Sequence, residues 1–158
     1  MRNILESSRN ESITLEQEIF TLNYYLQLEK LRFNDNFNFE ISCDSDIDSE
    51  EIEIPPMLIQ PFIENAIKHG IKQCDGSGKI VVNFQMLDEV RLACAVSDNG
   101  RGINNKNEDK QHISYAMDIT RERIQVLNKK RSKQIILNIT DLSEKESEGT
   151  CIELIIPV

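Results

Sequence analysis

The sequence predicts an α+β sandwich in which a mixed, mainly antiparallel sheet is covered on one face by helices. Three observations point there. Amphipathic helical stretches and short period-two strands follow one another as helix, strand, helix, two strands, loop, helix, two strands. Two of the strand pairs are joined by turn-like segments short enough for hairpins, which makes those pairs antiparallel. The 158 residues, 39% apolar and without Trp, supply one core rather than two.

Met1 to Asn10 is helix-compatible, but its Ile4 and Leu5 have no local partner, so it reads as the end of something longer. Thr14 followed by Gln17 is a capping box, and Leu15, Ile19, Leu22, Leu26 and Phe33 recur at helical spacing, predicting a helix over 14–32 with Tyr24 and Tyr25 as packing residues. Phe37, Phe39, Ile41 and Cys43 alternate with polar residues, the period of a half-buried strand. The acidic run from Asp44 to Glu53 ends it as a solvated turn; an EF-hand loop starting at Asp44 would need Gly at Ser49 and Glu at Pro55.

Pro55 and Pro56 lead into a second helix, Met57 to His69, striped by Leu58, Phe62, Ile63, Ala66 and Ile67, with Pro61 tolerated near the first turn and Gly70 at the C-terminal cap. Ile80, Val82, Phe84 and Met86 alternate, Asp88 and Glu89 turn the chain, and Val90 to Ser97 runs apolar, so a hairpin spans 79–97. A polar stretch from Asn104 to Gln111 precedes a third helix near 115–130. Gln134 to Asp141 and Cys151 to Ile156 then pair around the charged loop Ser143 to Gly149.

Composition excludes several function classes. Eighteen Lys and Arg against 27 Asp and Glu leave a net charge of −9, which repels a phosphate backbone, so nucleic acid is not an expected partner. No apolar run approaches the ~20 residues that span a bilayer and no basic-then-apolar leader opens the chain, so the expectation is a soluble intracellular polypeptide. Cys43, Cys74, Cys94 and Cys151 form no CxxC pair and read as reduced thiols, and His69 and His112 stand near no second zinc ligand. The segment CDGSGKI lacks the first Gly and the final Ser or Thr of a phosphate loop, and no GxSxG elbow occurs.

Two segments carry chemistry. In IENAIKHG (63–70), Asn65, Lys68 and His69 lie at i, i+3 and i+4, so one helical face presents a neutral oxygen ligand, a cation and a polarisable ring. Such a face suits a magnesium-bound polyphosphate, because Mg2+ takes hard oxygen ligands and keeps several waters. The plainer alternative is a Lys68–Glu64 pair with Asn65 as a surface residue. In SDNGRGI (97–103), Gly100 and Gly102 allow positive φ and close approach of a flat ligand, while an ionised Asp98 offers only acceptors. An adenine amino group matches that acceptor, whereas a guanine carbonyl would oppose it, at a penalty of ~1 to 3 kcal/mol for the unpaired polar group. The plainer alternative is an Asp-Asn-Gly turn.

The Asn-containing helix, the DNGRGI loop and the terminal GTCIELIIPV strand resemble, in order and spacing, the N, G1 and G3 boxes of the GHKL ATPase superfamily. More narrowly, EIFTLNYYLQLEKLRF followed by IPPMLIQPFIENAIKHGI resembles the LytS-type sensor histidine kinases, over roughly Leu15 to Val158. The resemblance implies a Bergerat-type ATP-binding domain over 14–158, with 1–13 as the tail of an upstream dimerisation and phosphoacceptor helix. It implies ATP and Mg2+ as ligands: Asn65 coordinating Mg2+, Lys68 and His69 near phosphate oxygens, and Asp98 on the adenine amino group. Gly100 and Gly102 would shape that pocket, Ile103 and Met117 would complete it, and Thr150 would assist adenine recognition. The implied partners are the chain's own upstream helix in a homodimer and a LytTR-type response regulator. The implied location is the cytoplasmic side of a bacterial inner-membrane receptor, reached through upstream segments.

The sequence departs from that family at the lid, where SYAMDITRERI puts Ala116 for a glycine, Tyr115 for an aliphatic residue and Asp118 where relatives are often basic. These changes motivate an alternative, a degenerate module that docks to its partner and binds nucleotide weakly or not at all. Arg121 is expected on a solvated helix face, with phosphate contact as the other possibility. Neither His69, in the N box, nor His112, in the lid, is a credible phosphoacceptor, so this stretch is not expected to phosphorylate itself. Hydrolysis to water is not expected either, because Pro61 stands four residues before Asn65, where the ATPases carry a basic Glu.

Overall fold

Thr14 and Gln17 start the first helix as expected. In the computed structural model, which describes residues 12–33, 36–70, 78–100, 102, 110–142 and 149–158, the Gln17 N–H donates to Thr14 Oγ1 at 3.2 Å and the Thr14 N–H donates to Gln17 Oε1 at 3.3 Å. This reciprocal cap opens α1 (Leu15–Arg32), whose first turn carries Glu16 and Glu18 and whose last carries Lys30 and Arg32, signs that oppose the helix dipole. Leu15, Leu22 and Leu26 are buried, while Phe20, Tyr24, Leu28 and Leu31 form an exposed apolar stripe on the other side. Thr14→Ala is expected to lower stability by about 1 kcal/mol, read as a lower urea midpoint. An unchanged midpoint would show that the cap contributes nothing.

Ahead of the helix, β1 (Ile13–Thr14) pairs antiparallel with β3 (Glu53–Ile54), a small second sheet absent from the sequence expectation because two residues have no periodicity. The main sheet holds β2 (Phe37–Cys43), β4 (Gly78–Asp88), β5 (Arg91–Asp98), β6 (Ile136–Asp141) and β7 (Thr150–Pro157) in the order β2-β4-β5-β7-β6. Only β2–β4 is parallel; the other three pairings are antiparallel, so the mixed, mainly antiparallel sheet is as expected. Register aligns Val82 with Val96 and Ile152, and Phe84 with Cys94 and Leu154, so one face is a continuous apolar surface. Leu22 and Leu26 of α1, Phe62, Ile63 and Ile67 of the second helix and Ile124 of the third pack in the same core, giving two layers.

Two helices differ from expectation. The second, α2 (Gln60–Asn65), begins at Gln60 rather than Met57, with Pro61 in its first turn, because the proline-rich lead-in holds 55–59 in turns. It passes at Ala66 into a π-helical turn, Ala66–Gly70, so Gly70 is part of the helix rather than its cap. The third, α3 (Lys110–Lys129), starts five residues before the apolar pattern, since Lys110 and Gln111 favour helix without adding periodicity. No helix among the described residues is long and apolar enough to cross a membrane. Cys43, Cys94 and Cys151 are free thiols; Cys74 lies outside the described residues.

Candidate functional site

The antiparallel register gathers several strand ends at one end of the sheet. Asp98, the last residue of β5, faces Thr150 at the start of β7 and Ile80 near the start of β4, and Thr150 also faces Asp141 at the end of β6. Past Asp98 the chain folds back so that the Gly100 N–H donates to Asp98 Oδ1 at 2.8 Å. Burial pushes the Asp98 carboxyl up to about 6, with the Gly100 and Thr150 backbone N–H groups acting in the opposite direction. At neutral pH it remains mainly ionised: an oriented, partly desolvated acceptor.

Asn99 has a structural task that the sequence does not reveal. Its N–H donates to Lys79 O at 3.2 Å and its Oδ1 accepts the Lys79 N–H at 2.6 Å, stapling the loop to β4. The positive φ expected of Gly100 and Gly102 belongs to Gly102 (72°) and Gly149 (127°); Gly100 serves through its N–H. A Cβ on Gly102 would lie 2.7 Å from Asp141 Oδ1 and 3.3 Å from Gly149 O, so this loop residue rests against the β6–β7 end. A Cβ on Gly149 would lie 1.9 Å from Asp98 O, well inside contact. The sequence pattern marks Gly149 only as the end of the charged loop that opens at Ser143; its place at the head of GTCIELIIPV is the signal that could have marked it.

Asp98, Gly100, Gly102 and Thr150 are therefore brought together, with Gly149 and Asp141 beside them. Asn65 and Lys68 come from α2 and its π-turn, and that turn packs against β4 and β5. The shared face expected from α-helical spacing is altered, because hydrogen bonds in a π-turn reach i+5 and rotate Lys68 away from its α-helical position. The Lys68 ammonium lies 3.4 Å from Glu64 Oε2 with its side chain 62% exposed, while Glu64 Oε1 accepts from Gln60 Nε2 at 3.1 Å. This is the plainer pairing, worth a few tenths of a kcal/mol, and an incoming phosphate can displace it. The His69 and Met117 side chains, Ile103, Arg101 and the 103–109 stretch lie outside the described residues.

Asn65 Nδ2 is buried without a hydrogen-bond partner among the described residues. A buried amide left in this condition is unfavourable by about 1 to 3 kcal/mol, and a polar ligand would relieve it. Among the described residues no group of three or more His, Cys, Asp or Glu is placed to hold a metal. One neutral oxygen ligand with phosphates and waters fits Mg2+, which seldom uses an all-protein cage, so the donor set is compatible with that ion. On α3, Asp118 Oδ1 lies 3.4 Å from Arg121 Nη1 in an exposed pair, so Asp118 sits beside a cation and Arg121 occupies the solvated face expected of it.

Comparisons with known proteins bear on the whole chain. The histidine kinase family model matches residues 1–37. The sensor protein LytS of Staphylococcus saprophyticus is 38% identical over 109 residues, covering 69% of this chain and 18% of the relative. LytS of Bacillus subtilis is 37% identical over 102 residues, 65% of this chain and 17% of that protein. The chain thus spans less than a fifth of these relatives. Among solved structures, the histidine kinase domain of the Erythrobacter litoralis blue-light activated kinase superposes with a TM-score of 0.61 at 18% identity, covering 94% of this chain and 68% of that one. Histidine kinase ThkA in complex with the response regulator TrrA gives 0.59 at 16% identity, over 99% and 45%. At these identities the structures establish a shared fold.

Proposed function

Because this chain belongs to the LytS-type sensor histidine kinases, we propose that residues 14–158 are their ATP-binding domain and that residues 1–13 end the dimerisation and phosphoacceptor helix region. The observation that carries this reading is the oriented acceptor Asp98, fixed by the Gly100 N–H at the strand ends beside Thr150. In this reading Asp98 takes the adenine amino group, Thr150 assists, and Gly102 and Gly149 keep the wall free of side chains. Asn65 would hold Mg2+, and Lys68 would approach the phosphates. The ion, when bound, neutralises charge on the phosphate oxygens.

The activity proposed for the intact protein is histidine protein kinase. The domain would hold the γ-phosphate of ATP against a histidine imidazole on the upstream helix of the homodimer, acting mainly by positioning and charge neutralisation. A LytTR-type response regulator would then receive the phosphate on an aspartate. The exposed stripe Phe20, Tyr24, Leu28 and Leu31 supports packing of α1 against the upstream helix, since contiguous exposed apolar surface marks contact sites. Placement on the cytoplasmic side of a bacterial inner-membrane receptor follows from the same reading and rests on the upstream segments.

Calorimetric titration with a non-hydrolysable ATP analogue and Mg2+, beside the GTP analogue, tests it. Adenine-selective binding that loses its Mg2+ dependence in Asn65→Ala is the expected result. Absence of binding at millimolar nucleotide would overturn the ATP reading and favour the docking module.

A further inference from the structure

Helix α1 turns one carboxylate into the core. Glu18 is 3% exposed, the one buried carboxylate among the described residues, and its Oε1 has no hydrogen-bond partner among them. Burial is unfavourable for a carboxylate, so such a group persists where its neighbours offset the lost hydration. Its neighbours come from three directions. The backbone N–H groups of Met57 and Ile59 and the Arg123 guanidinium of α3 favour its ionised form electrostatically, and the buried Cys94 thiol of β5 lies within range of its charge.

Arg123 holds the same turn from the other side. Its Nη1 donates to Met57 O at 3.0 Å and its Nη2 to Pro56 O at 2.5 Å. The turn needs both. Pro55, Pro56, Leu58 and Ile59 are buried without regular structure; the Ile59 carbonyl accepts from the Phe62 and Ile63 N–H groups, while the Pro56 and Met57 carbonyls are met by a side chain. Met57 adopts φ 56°, a conformation that a non-glycine residue keeps only when its surroundings impose it. Ile59, at the N-cap of α2, supplies no side-chain cap of its own. The carboxylate acts on the turn's N–H groups through its charge, the guanidinium holds its carbonyls, and the helix that follows carries Asn65.

We propose that Glu18 and Arg123 are positioning residues that clamp the 55–59 turn and thereby couple helices α1 and α3 to the placement of Asn65. The proposal rests on the reading of Asn65 as a nucleotide-site residue. It gives α1 and α3 a route to the phosphate end of the site through one shared turn. Because burial raises the Glu18 carboxyl to about 7, the clamp is weakest when Glu18 is protonated and strengthens as it ionises. The facing groups are Arg123 from α3 and Cys94 from β5; the turn itself contributes backbone N–H and carbonyl groups.

The test compares the chain with Glu18→Gln and Arg123→Lys by calorimetry with the Mg2+-bound, non-hydrolysable ATP analogue from pH 6 to pH 8, alongside amide hydrogen exchange of residues 60–65. Gln resembles the protonated acid, so the two affinities should nearly match at pH 6 and differ by roughly tenfold at pH 8. Asp98 titrates in both proteins, so this divergence belongs to Glu18. Arg123→Lys keeps the charge but loses the fork, and should weaken binding at both pH values. Exchange at 60–65 should quicken in both variants. A folded Glu18→Gln protein with the parent's affinity at pH 8, or a ratio that does not change with pH, overturns the proposal. Should Glu18→Gln not fold, parent-like binding by Arg123→Lys overturns it. Should the parent itself not bind, the nucleotide reading fails, and exchange decides the coupling: faster exchange at 60–65 supports it, unchanged exchange overturns it.

Discussion

Gly149→Ala is expected to destabilise the chain by more than about 4 kcal/mol, leaving it insoluble or unfolded. The added Cβ would stand 1.9 Å from Asp98 O, 2.9 Å from Asp98 C and 3.0 Å from Asn99 Cα, all backbone atoms with no rotamer in which to retreat. Relief would require β5 and β7 to separate where Asp98 and Thr150 pair, in the middle rather than at the edge of the sheet. The φ of 127° adds strain for any L side chain. Gly102→Ala is the contrast. Its closest contact, 2.7 Å, is Asp141 Oδ1, a side-chain atom that can rotate, so the expected loss is about 1 to 2 kcal/mol, mainly for the left-handed backbone. Urea unfolding of both variants measures the difference. A Gly149→Ala protein within 1 kcal/mol of the parent, on the usual scale for surface substitutions, would mean that the two strands do not approach as closely as described.

Asp98→Asn is expected to abolish selectivity for adenine while making the ligand-free chain more stable at pH 8. The carboxyl is raised from 3.8 to about 6 chiefly by burial, so the folded state binds its proton more tightly than the unfolded chain does. The associated stability is fully present below 3.8 and is lost as pH rises through 6, a loss of about 3 kcal/mol above that window. Asn keeps an oxygen for the Gly100 N–H and carries no charge to desolvate, so its variant should escape that loss. The amide can equally turn a donor toward the adenine amino group, which removes the discrimination. Thermal unfolding at pH 4 and pH 8 and titration with the two nucleotide analogues measure both halves. Parent-like adenine selectivity in Asp98→Asn would remove this residue from the site.

Glu18 acts on stability with the same sign. Its carboxyl moves from 4.5 to about 7, so stability present below 4.5 is lost as pH rises through 7. The parent should therefore grow less stable from about pH 4 to pH 7. Asp98→Asn should remove the lower part of that slope and Glu18→Gln the upper part.

Much of the architecture follows from short-range physics that is legible along the chain. The Thr14–Gln17 cap, the α1 stripe and the period-two strands 37–43 and 79–97 depend on hydrogen bonds and side-chain spacings within a few residues, and each appears where its pattern puts it. The Asp98 and Gly100 loop is legible for the same reason, being a local side-chain-to-backbone turn. The residues that tertiary structure decided are those whose state depends on distant chain. Glu18 reads as an ordinary acid in a first helical turn; it becomes a buried carboxylate only in the folded chain. Arg123 looks like one more charge in RERI until its two nitrogens meet the Pro56 and Met57 carbonyls. Gly149 is an unremarkable loop glycine until β7 is laid against the carbonyl of Asp98. The π-turn at Ala66 likewise appears only once the helix packs on β4 and β5. Local pattern determined which segments are helix or strand and which loop carries the acceptor, because those energies are short-ranged. Close packing between remote residues determined which charge is buried, which glycine lies against backbone and that the Asn65 amide is buried without a partner among the described residues.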